Sequence, residues 1–341
     1  MELMTLEDRI QVMKRLGEIL SEKNEYLEAV MQRSQFNNGW FTLENQQRSI
    51  RAIADQFLQE NALRKWLSNY KITEPFSPKA IGMVLAGNLP LVGFHDLLCV
   101  FLAGHKSLIK LSEKDQYLLP ALLKFLQEID SRTVHYFEVV EQLKGFEAVI
   151  ATGSNNSSRY FDAYFGKYPN IIRRNRNALA VLSGQENHEE LLALGRDIFT
   201  YYGLGCRNVS KIYVPKGYAF EPFLEAMHEY REVVLNTKYK NNFDYNYAML
   251  ILNRVEYMGN GCLLLTENQS LQSPIAGLHY EYYQEPQQLE MELKKRESEI
   301  QCIVGREGVL SLPVLPFGKA QEPELWDYAD GVDTLEFLLS L

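Results

Sequence analysis

The stretch Ala80-Ile-Gly-Met-Val-Leu-Ala-Gly-Asn-Leu-Pro-Leu-Val-Gly-Phe-His-Asp-Leu-Leu-Cys-Val-Phe-Leu-Ala-Gly-His-Lys-Ser-Leu-Ile-Lys-Leu111 reads as strand, turn, helix and strand. Residues 80–85 are an apolar run of strand length, and Gly87-Asn88-Leu89-Pro90 interrupts it. Residues 91–103 stay apolar over helical length until Gly104, and a second short apolar run follows at 107–111. A strand, a crossover helix and another strand in this order predict a parallel α/β sheet.

The alternation continues downstream. A helix over 118–129 leads to a strand at 148–151 and a helix at 155–165. The unit then restarts with a strand at 178–182, a helix over 189–202 closed by Gly203, a strand at 211–214 and a helix over 220–230. Further strands are expected at 249–252, 262–265 and 301–304. Upstream the pattern is helical: Thr5-Leu-Glu-Asp8 has the form of a capping box, and Leu6, Ile10, Met13, Leu16 and Leu20 recur at helical spacing. A second stripe, Ile50, Ile53, Phe57, Leu58, Leu63, Trp66 and Leu67, is expected to pack into the same core. The expected organisation is a helical lead-in at 1–75, a cofactor-binding lobe at 76–182, a catalytic lobe at 183–315 and a return segment at 316–341.

With 341 residues, 46% of them apolar and 23% charged, the chain has ample material for two packed lobes. Its net charge of -9 argues against a nucleic-acid surface, which needs clustered basic residues. The N-terminus has no basic region followed by an apolar one, and no apolar run is long enough to span a bilayer. Cys99, Cys206, Cys262 and Cys302 lie far apart with no metal-ligand spacing, so a reducing cytoplasm and no metal are expected.

Four segments fall at turns between helices and strands, where open α/β sheets place ligands. They are Gly87-Asn88-Leu89-Pro90, Lys110-Leu-Ser112-Glu113, Thr152-Gly153-Ser154 and Gly203-Leu-Gly-Cys206-Arg207-Asn208. Each has a functional and a plain reading. Cys206 stands among glycines that leave room beside its sulfur, as a reactive thiol needs, or it is a buried cysteine in a turn. Asn88 offers an amide to an oxyanion, or serves the turn. Thr152-Gly153-Ser154 opens a helix whose free N–H groups attract phosphate, or Ser154 simply caps it. Arg173, Arg174 and Arg176, near Lys167, make either a phosphate receptor or a solvated basic face. His95 is close enough to Asn88 for proton transfer, yet its apolar helix suits a structural role. Cys99, Cys262 and Cys302 are read as packing residues.

Taken in order, the four segments resemble the aldehyde dehydrogenase superfamily, most closely its long-chain acyl-CoA reductase branch, typified by the fatty-acid reductase of bacterial luminescence. The branch is marked by Val84-Leu-Ala-Gly-Asn-Leu-Pro-Leu-Val-Gly-Phe-His-Asp96, Phe165-Gly-Lys-Tyr-Pro169 and Asp327-Tyr-Ala-Asp-Gly-Val-Asp333. The resemblance extends over about residues 75–338 and implies an aldehyde-dehydrogenase-like fold of two Rossmann-like lobes. It implies Cys206 as the catalytic thiol and Asn88 as oxyanion donor. Lys110, Ser112 and Glu113 would lie on the adenosine ribose, Thr152, Gly153 and Ser154 by the pyrophosphate, and Phe317 and Gly318 on the substrate tunnel.

The implied reaction is reduction of a fatty acyl thioester to the aldehyde. NADPH is the expected donor, with NADH as the alternative, and the acyl group would arrive on coenzyme A or an acyl carrier protein. Two departures bear on the direction. Where aldehyde-oxidising relatives carry the Glu-Leu-Gly-Gly segment that activates water, this chain reads Ile172-Arg-Arg-Asn175, and the glutamate those relatives place on the nicotinamide ribose is absent near Ser270. Without the hydrolytic base, an acyl-enzyme persists for hydride. Thioester synthesis in the oxidative direction and a non-redox acyl-carrying subunit are the competing readings. The oligomerising hairpin of the superfamily is not recognisable, so monomer and homodimer both fit.

Overall fold

The computed structural model describes residues 3–72, 77–153 and 155–341. By its contacts the chain divides into two compact units, Met1–Asn175 with Pro323–Leu341, and Arg176–Glu322.

In the first unit the lead-in forms α1 (Leu6–Ser21), α2 (Glu25–Asn37), α3 (Leu43–Ala52) and α4 (Glu60–Leu67). The capping box is present: Asp8 N–H donates to Thr5 Oγ1 at 3.1 Å, and Thr5 N–H donates to Asp8 Oδ2 at 2.9 Å. Both apolar stripes are buried in one core with the sheet. That sheet contains β1 (Ala80–Val84), β2 (Lys106–Lys110), β3 (Phe137–Val139), β4 (Ala148–Thr152) and β5 (Asn170–Arg173). All its pairings are parallel, in the order β3-β2-β1-β4-β5. The crossovers between β1, β2 and β3 carry α5 (Phe94–Leu102) and α6 (Leu118–Ile129), and α7 (Asn155–Phe165) links β4 to β5. The order reverses at β1, and open α/β sheets place ligands beyond the carboxyl ends of the strands at such a reversal, here β1 and β4.

The α5 helix starts three residues later than its apolar run, because Leu91 adopts φ 57°, a left-handed conformation outside the helical region. The C-terminal segment completes the unit: Leu325, Leu335 and Leu338 enter its core. Tyr70 OH donates to Asp333 Oδ2 at 2.6 Å, and Trp66 Nε1 donates to Tyr328 OH at 2.9 Å.

The second unit holds β6 (Asn177–Val181), α8 (His188–Phe199), β7 (Val209–Pro215), α9 (Glu221–His228), α10 (Thr237–Leu252), β8 (Met258–Gly259), β9 (Leu264–Glu267), β10 (Gly277–Tyr283), α11 (Pro286–Lys295) and β11 (Ile300–Gly305). Its sheet runs β11-β6-β7-β10-β9-β8, parallel except at β8–β9. Because β6 pairs with β7 and β11, the first unit ends at Asn175 and not after residue 182. Residues 249–252 are not a strand but the last turn of α10. Asn236 caps that helix by accepting from Lys238 and Tyr239 N–H, and a short apolar run has no period that separates helix from strand. Among the described residues, no helix is long and apolar enough to cross a membrane.

Candidate active site

Three of the four turns lie in the first unit, at the carboxyl ends of the adjacent strands β1, β2 and β4. Asn88 is exposed on the turn after β1, while Gly87 beneath it is buried. A side chain at Gly87 would occupy the space of Ser112 and meet Lys114 Cβ at 3.2 Å, so glycine lets the β1 turn lie against the β2 turn. Asp115 ties the two together: its Oδ2 accepts Leu91 N–H at 2.9 Å. Oδ1 of the same carboxylate is buried without a hydrogen-bond partner, and burial raises its pKa to about 6 although backbone N–H groups pull it down.

The helical lead-in braces both turns from behind. Ser49 Oγ donates to Pro90 O at 2.7 Å, and Asn38 Nδ2 donates to Lys114 O at 3.2 Å. Ser112 is half-buried, and its Oγ accepts Lys114 N–H at 3.3 Å. Lys110 and Glu113 are exposed. Thr152 ends β4, and Gly153 packs so closely on α7 that a Cβ would stand 2.7 Å from Phe161 and 2.8 Å from Ser157. Ser154 lies outside the described residues. An ammonium and a carboxylate at one strand end, next to a glycine turn that opens a helix, suit the hydroxyls and phosphates of a dinucleotide.

The basic run separates. Arg173 is buried at 5% exposure, ion-paired with Asp96, and its Nη2 donates to Thr334 Oγ1 at 2.7 Å. It is therefore a core bond of the first unit and is closed to a phosphate, contrary to the expectation for this residue. Arg174 is exposed and pairs with Asp162 at 2.9 Å. Arg176 donates to Ile300 O at 3.3 Å within the second unit. Arg173 is the last residue of β5 and is buried with Ile171 on one face of the strand, whereas Arg174 and Arg176 follow the strand. His95 has both ring nitrogens near partners, Leu325 O at 2.9 Å and Cys99 Sγ at 3.8 Å, and it packs on Phe57 and Trp66.

The thiol turn belongs to the second unit, between α8 and β7. Tyr201, Tyr202 and Gly203 have φ of 56°, 60° and 76°, and Gly205 follows at 97°. Two tyrosines in the left-handed region store strain that the surroundings must hold. Asn208 does this: its Nδ2 donates to Ile198 O at 2.6 Å and to Asp197 O at 3.3 Å, closing the end of α8. Cys206 in between is half-buried, as is Cys302 on β11, which was expected to pack in the core; Cys99 and Cys262 are buried and their thiols are pushed up by desolvation, Cys262 to about 11.

Asp197 also organises the Pro316-Phe317-Gly318-Lys319 turn. Fully buried, it accepts Gly318 N–H at 2.6 Å and Ala320 N–H at 2.9 Å. Arg207 Nη1 lies 3.5 Å from Ala320 O, which brings the thiol turn beside the Phe317–Gly318 turn. Gly318 has φ 83°, and a Cβ there would lie 2.6 Å from the Arg196 guanidinium. A cleft of about 1080 Å³ is lined by Glu190, Ala193 and Arg196 of α8, by Arg306, and by Leu312 and Phe317. The sequence reading missed Asp115, Asp197 and Asn208. Asp197 was detectable as a carboxylate three residues beyond Leu194 on the apolar stripe of α8, where only a satisfied charge is tolerated.

The family model described as acyl-CoA reductase (LuxC) matches residues 5–228, about two thirds of the chain and including Asn88 and Cys206. The chain belongs to the acyl-CoA reductase (LuxC) family. As a member it is a nicotinamide-dependent oxidoreductase that reduces a fatty acyl thioester.

Solved structures similar to this acyl-CoA reductase include an oxidoreductase from Marinobacter aquaeolei, at 11% identity and TM-score 0.69, over 95% of this chain and 80% of that one. An NAD-dependent aldehyde dehydrogenase from Sinorhizobium meliloti matches at 10% identity and TM-score 0.68, over 89% and 71%. Aldehyde dehydrogenase C from Pseudomonas syringae, a mutant solved with NAD+ and octanal, matches at 13% identity and TM-score 0.64, over 92% and 78%. At these identities the likeness is one of fold. No match was found among curated proteins.

Proposed function

We propose that this acyl-CoA reductase uses Cys206 as its nucleophile, takes its acyl group from a coenzyme A thioester and prefers NADPH. The observation that carries the reading is the thiol turn: Cys206 is half-buried in a strained, glycine-opened segment, while Cys99 and Cys262 are buried and Cys302, also half-buried, lies in the regular strand β11.

In this reading the Cys206 sulfur attacks the thioester carbonyl and the coenzyme thiol leaves. One thioester replaces another in this exchange, so it is nearly balanced. Asn88 donates its amide to the oxyanion, a contribution whose removal typically costs about 2.7 to 4 kcal/mol of barrier. When bound, the nicotinamide supplies hydride to the acyl carbon. Cys206 then leaves the resulting thiohemiacetal as thiolate, and the aldehyde departs.

Lys110, Ser112 and Glu113 would hold the adenosine ribose, and the Thr152–Gly153 turn the pyrophosphate. Lys110 offers a positive charge to a 2′-phosphate, which Glu113 opposes, so initial rates with NADPH and NADH test the preference. The decisive experiment is Cys206→Ala with acyl-CoA and NADPH. Loss of both aldehyde formation and acyl-enzyme is expected, and aldehyde production at the wild-type rate would remove the mechanism. Acylation of the wild type without nicotinamide consumption would instead favour a non-redox acyl carrier.

A further inference from the structure

The last two turns of α10 read Tyr245-Asn-Tyr-Ala-Met-Leu-Ile-Leu252, in which Asn246 is the only residue without an apolar or aromatic side chain. A helix of that composition is ordinarily buried all round. Here its own chain holds one side. Tyr239 OH donates to Cys262 O at 2.7 Å, Asn246 Nδ2 donates to Ile275 O at 2.8 Å, and the Tyr239 ring packs on Tyr202 of the thiol turn. The other side is open. Between residues 245 and 257 seven large apolar or aromatic side chains are exposed, among them Leu252 at 75%, Tyr245 at 64% and Ile251 at 51%. With a whole side chain of this size taken as about 200 Å², their open fractions amount to about 700 Å², more than the largest apolar patch of a typical monomer.

We propose that this face of α10 joins two copies of the chain around a twofold axis. The area is what such a contact needs: about 700 Å² from each copy makes about 1400 Å² in total, within the range of specific interfaces. The composition fits too, since Tyr245, Tyr247, Tyr257 and Met249 are of the types enriched at interface centres. The charge favours a copy. A chain of net charge -9 repels its like, yet residues 245–253 carry no charge, and Lys240 and Asp244 beside them pair with each other. Two such faces meet without opposing like charges. Tyr245, Ala248, Met249 and Leu252 recur at i, i+3, i+4 and i+7, so the small Ala248 lies among larger neighbours and leaves room for a facing helix. A helix that lies on lipid instead keeps a charged face opposite its apolar one, whereas the opposite face of α10 is bonded to the chain's own backbone.

The test is sedimentation of the full chain from about 1 to 100 μM, since interfaces of this area bind at micromolar strength or tighter. The wild type should reach twice the chain mass within that range, and a monomer throughout overturns the proposal. Leu252→Glu sets like charges on the two faces and should stay monomeric. Its side chain is open in the single chain, so the variant keeps its fold, which circular dichroism checks. A Leu252→Glu dimer of wild-type strength would assemble through another face and also overturns the proposal. Should the variant not fold, the wild type decides alone: hydroxyl-radical labelling of Tyr245 and Met249 should fall as the concentration rises through the dimerisation midpoint. Equal labelling on both sides of that midpoint removes the twofold contact. Flotation with phosphatidylcholine vesicles supplies the last arm. A wild-type monomer that floats, and loses flotation as Leu252→Glu, gives the face to lipid and overturns the pairing of copies.

Discussion

Each unit of this acyl-CoA reductase fastens a functional turn with one buried aspartate, and the two fastenings differ in completeness. Asp197 meets two backbone N–H groups, one on each oxygen. Asp115 meets Leu91 N–H on Oδ2, and its buried Oδ1 has no hydrogen-bond partner, beside a small cavity lined by Leu85, Phe94 and Leu119. Burial raises both carboxyls to about 6, against the pull of the N–H donors. Backbone N–H groups act on both, Leu91 and Leu118 on Asp115 and Gly318 and Ala320 on Asp197, so what distinguishes the turns is the Asp115 oxygen left without a hydrogen bond. A buried charge bonded on both oxygens is offset at each of them, whereas a charge with one buried oxygen left bare is offset only in part.

The largest effect is expected at Asp115. A carboxyl whose folded pKa lies above its unfolded value binds a proton more tightly in the folded state. Stability is then greatest below the unfolded pKa and falls as pH rises through the folded one. For Asp115 the window runs from about pH 4 to pH 6, and a difference of about two pH units corresponds to about 3 kcal/mol. Asp115→Asn keeps an oxygen for Leu91 N–H and carries no charge. Urea denaturation should find it equal to wild type below pH 4 and more stable by up to about 3 kcal/mol above pH 6. A variant less stable than wild type at pH 7 would show that the charge itself holds the Asn88 turn.

The same substitution at Asp197 should have the opposite sign. Asparagine there sets an NH₂ against a backbone N–H and leaves both unsatisfied in the interior. We expect a loss of about 2 kcal/mol at pH 7, read from the unfolding of the second unit. If Asp115→Asn and Asp197→Asn shifted stability in the same direction, the bare oxygen of Asp115 would not be what separates the two turns.

Little of this was legible in the sequence, although much of the frame was. Periodicity revealed the helical stripes, because Ile50, Ile53, Phe57 and Trp66 recur as a buried face must. The strand–turn–helix order around Gly87 and Gly153 put the turns on the carboxyl edge of a parallel sheet. Residues 249–252 were misread because an apolar tetrapeptide has no usable period. The run Arg173, Arg174 and Arg176 looked like one feature, but the first is a buried partner of Asp96, the second is exposed, and the third bonds in the other unit. Asp115 and Asp197 escaped because a buried carboxylate is recognisable by the N–H groups that bond it, and Leu91 lies 24 residues from Asp115 while Gly318 and Ala320 lie 121 and 123 from Asp197.

The glycines of the two turns separate the causes further, with smaller effects. Gly87 is constrained by space, since a methyl group there would overlap Ser112, itself part of the turn that Asp115 anchors. Gly87→Ala must push the β1 and β2 turns apart, and overpacking of this kind costs about 2 kcal/mol. Gly318 is constrained by conformation: its φ of 83° disfavours any Cβ, but the atoms in the way are the far end of the Arg196 side chain, which can rotate aside. Gly318→Ala should therefore cost about 1 kcal/mol, the price of a left-handed alanine. Adding Arg196→Ala tests that assignment. It clears the space without altering φ, so the penalty of Gly318→Ala should persist in the double variant. A penalty that vanished would make the cause steric at both turns, leaving the hydrogen bonds as the difference between them.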